Sequence, residues 1–339
     1  MMIDRRAILT LGALAACSTW VGGLGRAALA QTKTAVRIGT SSVGSIYYVI
    51  AVGLTKLLQD HAGISATAEP VGGSVANVFA LQADKVDLAV TNAIAAAEGY
   101  TGAGRFKKPV DVRLLAVGQR SYRQFIVRVG SGIEKPADLK GKTIIGKRPA
   151  LPEIEKLTLA LLKAAGVDPS SVRIVATTET NEAVDALRAG TADAVVMPGG
   201  ANASYIKQLA RDGRIKFLDI PDDMAKAMLG PGPQSIGLAK LPAGMYDGLD
   251  KPVNVFDIPT YLVADARLPD DVGYNVVKSI FDHVEQFHSF HSAAKEWTLA
   301  GAVDNPKVPF HDGAVRYFKE NKVWSAEHDK QQAALLKRS

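Results

Sequence analysis

The side chains best suited to chemistry gather where apolar runs end. Thr40, Ser41, Ser42, Gly44, Ser45 and Tyr47 follow the run Val36-Arg37-Ile38-Gly39 and lead into a helical period. Hydroxyls and backbone NH groups between a strand's carboxyl end and a helix N-terminus can grip a carboxylate; the alternative is an ordinary strand-to-helix turn. Tyr47 either lines such a site with its ring or belongs to the core. Gly73-Ser74 opens a second helix, with Ser74 a good N-cap and Asn77 one turn later on nearly the same face. Thr91-Asn92 closes a third apolar run, where Asn is also common for turn reasons alone. Pro198-Gly199-Gly200 ends a later strand, and its glycines either let a ligand approach the backbone or make a turn.

Lys147-Arg148 stands apart, because two adjacent cations just before a helix oppose its dipole unless solvated or paired with an anion. An acidic solute would supply that anion, with Arg148 better suited than Lys147 to bidentate carboxylate binding. The other reading has both pointing into water. Catalytic signatures are missing: no His-Glu-x-x-His, Gly-x-Ser-x-Gly, phosphate loop or dinucleotide fingerprint occurs. His288 and His291 share a helical face, but Glu285 and Glu296 do not complete a ligand set, so no metal, cofactor or enzymatic activity is expected.

The elements that must position these groups alternate between short apolar runs and longer helical periods, the pattern of an α/β protein with largely parallel sheets. Strands are expected at 36–39, 65–71, 86–91, 143–146, 172–177, 192–197 and 261–264, with one or two more within 114–129. Helices are expected at 48–61, 74–83, 153–165, 181–188, 271–290 and 293–300, with a short one at 136–142. Ala80-Leu81-Gln82-Ala83 before Asp87-Leu88-Ala89-Val90 is matched by Ala186-Leu187-Arg188-Ala189 before Asp193-Ala194-Val195-Val196, which suggests two related lobes. The expected division is 34–129 with 253–325 as lobe 1, 130–252 as lobe 2, hinges near Val129-Gly130 and Pro252-Val255, and a charged tail at 326–339.

The chain has 339 residues, 47% of them hydrophobic and 22% charged, with a formal charge of +6. No Lys/Arg run with interleaved aromatics appears, so nucleic acid is not an expected partner. Arg5-Arg6 precedes a weakly apolar Ala/Gly/Leu stretch that ends in Ala28-Leu29-Ala30 before Gln31, the shape of an export signal over residues 1–30. Arg5-Arg6 also resembles a twin-arginine signal, with the general export pathway as the alternative. The single cysteine, Cys17, lies in a lipobox-like Leu14-Ala15-Ala16-Cys17. Cleavage after Ala30, giving a free periplasmic protein, and lipid anchoring through Cys17 are the competing outcomes. Without a cysteine beyond residue 17, the core alone supplies stability.

In order along the chain come Gly39-Thr40-Ser41-Ser42-Val43-Gly44-Ser45-Ile46-Tyr47-Tyr48, Gly72-Gly73-Ser74-Val75-Ala76-Asn77, Ala137-Asp138-Leu139-Lys140-Gly141-Lys142 and Pro309-Phe310-His311-Asp312-Gly313-Ala314. Together they resemble the TAXI receptors of tripartite ATP-independent periplasmic (TRAP) transporters. That resemblance implies a type II periplasmic-binding-protein fold, with two α/β lobes, a ligand cleft between them and delivery of a small solute to a sodium-coupled membrane permease. Members often resemble receptors for glutamate or related dicarboxylates, and a monomer is expected. Where they usually carry a small-residue turn, this chain has Gly146-Lys147-Arg148-Pro149. A receptor for an ATP-driven importer and a ligand-sensing module are the rivals that share the fold.

Overall fold

Residues 35–230 and 235–337 are described by a computed structural model; the segment expected to be an export signal, with Cys17 and Ala30, lies outside the described residues. The first half opens with β1 (Ala35–Thr40), α1 (Ile46–Ala62), β2 (Ser65–Pro70), α2 (Ser74–Gln82), β3 (Leu88–Asn92), α3 (Ala93–Thr101) and the long β4 (Val112–Arg128). Local chemistry sets the ends of α1: the Ser45 hydroxyl accepts from Tyr48 N, and Gly63 closes the helix at φ +65°. The second half runs through β5 (Thr143–Lys147), α4 (Glu153–Ala164), β6 (Arg173–Ala176), α5 (Thr180–Ala189), β7 (Ala194–Gly199), α6 (Ser204–Arg211), β8 (Ile215–Phe217), α7 (Asp222–Leu229) and β9 (Gly237–Leu241). The chain returns through β10 (Val253–Asp265) to α8 (Asp270–Phe281), α9 (Val284–Phe290), α10 (Asp312–Glu320) and α11 (Ala326–Leu336).

One sheet runs through both halves in the order β2-β1-β3-β10-β4-β7-β5-β6, with β8 added to β4 and β9 to β10. In the first lobe β1 pairs in parallel with β2 and β3, and β10 closes against β3 antiparallel. The second lobe repeats the arrangement, with β5 parallel to β6 and β7, and β4 antiparallel to β7. The sequence repeat therefore has a structural counterpart. Asp87 accepts from Arg37 N at 2.8 Å at the start of β1, and Asp193 accepts from Thr143 N at 3.1 Å at the start of β5. Each aspartate also donates its own NH back to the carbonyl of the same partner.

β4 and β10 are the two crossings between lobes. Leu114–Val117 and Tyr261–Ala264 belong to the apolar core of the first lobe, while Phe125, Val127 and Phe256 pack on one face of the second half-sheet and Ile126 and Val255 on the other. The cores thus divide inside the two long strands, whereas hinges were expected at Val129-Gly130 and Pro252-Val255. The β4–β10 ladder shifts register between Pro259 and Tyr261, opposite Arg120 and Val117, where proline has no NH to donate. Between these positions Gly118 lies against the indole of the buried Trp297, where an added Cβ would meet ring atoms at 2.2 Å.

The run at 114–129, expected to hold one or two strands, forms a single one. Two expectations are corrected: the helix expected at 271–290 breaks at Asp282-His283, and 293–300 holds only a 3-10 turn at Ser292–Glu296. Burial of Trp297, whose indole NH donates to Gln119 Oε1 at 2.5 Å, outweighs helical propensity in that last segment. The charged tail is a docked helix. Gln332 in α11 exchanges hydrogen bonds with both backbone groups of Phe310, and Tyr100 Oη donates to Leu335 O.

Candidate functional site

A cavity of about 360 Å³ opens between the lobes. Its first-lobe wall is the β1–α1 loop and the entry to α2; its second-lobe wall is the loop before α4, the entry to α5 and the turn after β7. Of the residues expected from sequence, Ser41, Ser42, Gly44, Ser45, Tyr47, Ser74, Arg148, Pro198 and Gly199 line it. Thr40, Asn77, Thr91, Asn92 and Lys147 stand off its wall. Thr40 is buried and bonds to Ser41 O and Glu69 O. Asn77 is buried and donates to Val90 O, so it ties α2 to β3 instead of facing the cleft. Thr91 bonds to Ser74 O, and Asn92 caps α3 by accepting from Ala95 N. Lys147 is exposed and pairs with Glu155 at 2.9 Å, so of the two adjacent cations only Arg148 turns inward.

Arg148 is 6% exposed. Its Nη1 donates to Thr180 Oγ1 at 2.8 Å, its Nη2 lies 3.8 Å from Glu179 Oε2, and its Nε is buried with no partner. Burial in the cavity wall pushes its pKa down, opposed by the Glu179 carboxylate. A guanidinium in this state is short of one acceptor, and an unpaired buried donor costs about 1–3 kcal/mol. Nearby, the N-termini of α2, α5 and α6 reach the cavity through Gly73-Ser74, Glu179-Thr180 and Ala203-Ser204 without a side-chain cap hydrogen bond. Uncapped first-turn NH groups and the positive dipole end favour an anion. Gly73, at φ +124°, brings its backbone close to Ala150 of the opposite wall.

Other charges on the wall are paired. Arg123, on β4, is 1% exposed and donates to Glu153 Oε1 from Nε at 3.0 Å and Nη2 at 2.5 Å. Arg120 bonds to Asp257 at 3.1 Å and lies 3.6 Å from Asp304. Apolar and aromatic surface comes from Ile46, Tyr47, Leu151 and Tyr205, and burial pushes the pKa of both phenols up. His291 at the rim is pushed down by burial, which favours its neutral form near neutral pH. The lobes meet across the cavity, where Ser42 Oγ donates to Glu179 Oε2 and Asn92 Nδ2 approaches Glu153 Oε1 at 3.4 Å.

Sequence reasoning passed over Gln119, Ser121, Arg123, Glu179, Thr180 and Tyr205. Two signals could have found the first five. Gln119, Ser121 and Arg123 alternate along β4 and all reach the cavity, the period of one strand face. The internal repeat, extended back at constant spacing from Asp87 and Asp193, sets Glu179 and Thr180 opposite Gly73 and Ser74, and Arg148 opposite Ser42. Among the described residues no His/Cys/Asp/Glu group is arranged to hold a metal, and no helix is long and apolar enough to cross a membrane.

Two half-sheets of matching order, joined by two crossing strands around a polar cleft, define the type II periplasmic-binding-protein fold. The chain belongs to the NMT1-like family, whose model matches residues 38–321. Among solved structures it is similar to MatC from Rhodopseudomonas palustris with bound malate, at 14% identity and a TM-score of 0.52 over 90% of this chain and 99% of that one. A second, described as a periplasmic transporter, matches at 13% identity and a TM-score of 0.50 over 91% and 99%. The alkanesulfonate-binding protein SsuA from Xanthomonas axonopodis pv. citri, bound to MOPS, matches at 16% identity and a TM-score of 0.45 over 89% and 90%.

Proposed function

We propose that this protein is an exported solute receptor that closes its two lobes around a small anionic solute and delivers it to a membrane permease. The observation that carries the reading is Arg148, a buried guanidinium with an unpaired Nε beside three uncapped helix N-termini. A solute carboxylate would accept from Arg148 and from first-turn NH groups of both lobes, so binding favours the closed form. Ser41, Ser42, Ser45, Ser74, Thr180 and Asn181 supply hydroxyls and an amide around it, Tyr47 and Tyr205 flank it, and Gly44, Pro198 and Gly199 shape the wall. Carboxylate chemistry is also what the similar MatC structure holds, as malate. The order of the motifs favours a TAXI receptor of a TRAP transporter, with a dicarboxylate or glutamate-like acid as cargo. Residues 1–30 would direct export to the periplasm, and the two lobes would part inside β4 and β10 instead of at the expected bounds 34–129 with 253–325 and 130–252.

Thermal unfolding against amino acids, mono- and dicarboxylates, sulfonates and sugars tests this reading, because a ligand that binds only the folded state raises the melting temperature. A rise with a carboxylic acid that is lost in Arg148→Ala supports it. A rise with neutral solutes alone removes the anion assignment, and silence across the panel removes the receptor reading.

A further inference from the structure

Beside the cavity, and outside its wall, the first lobe holds the very loop that carries Arg148. Arg105, in the turn after α3, donates from Nη1 to Pro149 O at 2.8 Å. Glu98 in α3 accepts from Lys156 of α4 at 2.8 Å. Glu98 is held in place by the turn itself: Ala103 N donates to Glu98 O, and Gly104, at φ +60°, leaves room for the carboxylate where a Cβ would meet it at 2.5 Å or less. Pro149 lies between Arg148 and Ala150, both of which line the cavity. None of Glu98, Arg105 and Lys156 reaches the cavity, so their contacts cannot be part of solute recognition.

We infer that Glu98 and Arg105 form a clasp: they grip Lys156 and the Pro149 carbonyl only when the lobes are closed, and hold a measurable share of the solute-free chain shut. The inference rests on the two-lobed receptor reading but needs no solute. It makes Arg105 a positioning residue that steadies the Arg148 loop from the opposite lobe. An exposed ion pair contributes little to folding. A contact made in one of two conformations, however, biases their ratio by its whole contribution, here roughly two- to fivefold for each of the two contacts.

The test uses the chain with Cys17→Ser, spin-labelled at Val52→Cys on α1 and Leu159→Cys on α4, both exposed positions on opposite lobes. Double electron–electron resonance without solute reads the closed and open populations. The expected result is a mixture in the unaltered background, a shift to the longer distance in Arg105→Ala and in Glu98→Lys, and recovery in the charge swap Glu98→Lys with Lys156→Glu. Circular dichroism checks that each variant is folded, and the swap separates a lost ion pair from a damaged α3. A single long distance in the background, identical distributions in all variants, or no recovery in the swap overturns the clasp. Any of these leaves solute capture standing, since that is read by melting temperature with solute.

Discussion

At the scale of single residues, Lys147 and Arg148 show why adjacent identical charges have different fates. Lys147 ends β5 facing out to Glu155, and Arg148 turns into the cleft. Arg148→Ala is expected to weaken acid binding roughly 10- to 100-fold, the range for a lost charged hydrogen bond, while Lys147→Ala leaves it within about twofold; isothermal titration with whichever acid raises the melting temperature checks both. A second prediction concerns Glu296, which accepts from Arg120 N at 2.9 Å and whose pKa is raised by burial and then by Asp257. A carboxyl with a raised folded-state pKa contributes stability that is present below its unfolded pKa and lost as pH rises through the folded one. Glu296→Gln keeps the acceptor and removes the charge. It should raise the melting temperature near pH 7, and the gain should vanish as pH falls to about 4.

At the scale of elements, β4 and its contacts decide the most. Gly118 admits the Trp297 ring where β4 crosses between lobes, so Gly118→Ala should cost about 1–3 kcal/mol and lower the melting temperature by several degrees in calorimetry. Strands and helices of the first three β–α units were legible because their apolar runs are short and bounded by glycine. The break at Asp282-His283 and the loss of helix after Ala293 were not, since both depend on tertiary packing: the buried Trp297 reaches Gln119 far back in the chain. For the site, loops at strand ends pointed to the cleft, but Asn77 Nδ2, Thr91 Oγ1 and Asn92 Oδ1 bond to β3, α2 and α3. A sequence does not show which way a strand-end amide faces. Arg123 was hidden for the opposite reason, as a cation in a run read only for its apolar residues.

For the whole molecule, two lobes and a returning chain were legible from the repeat and from the late strand at Tyr261. The place where they part was not, because β4 and β10 carry on unbroken through the boundary. Small-angle scattering with and without the bound acid should show a smaller radius of gyration on binding if the clasp variants start open. Arg105→Ala should show the larger change, and the unaltered chain the smaller one. Equal changes in both would remove the link between the clasp and closure.

The shared sheet also orders events during synthesis. β3 and the first half of β4 border β10, yet β10 is made only after the entire second lobe. Until then the first lobe has two unfinished strand edges, which are templates for wrong pairing. A chain stopped after β9 is therefore expected to aggregate, and refolding of the full chain to be slow, in keeping with pairings so distant in sequence. The geometry that places the cleft between the lobes thus also sets a period in which the nascent chain depends on being kept from its neighbours.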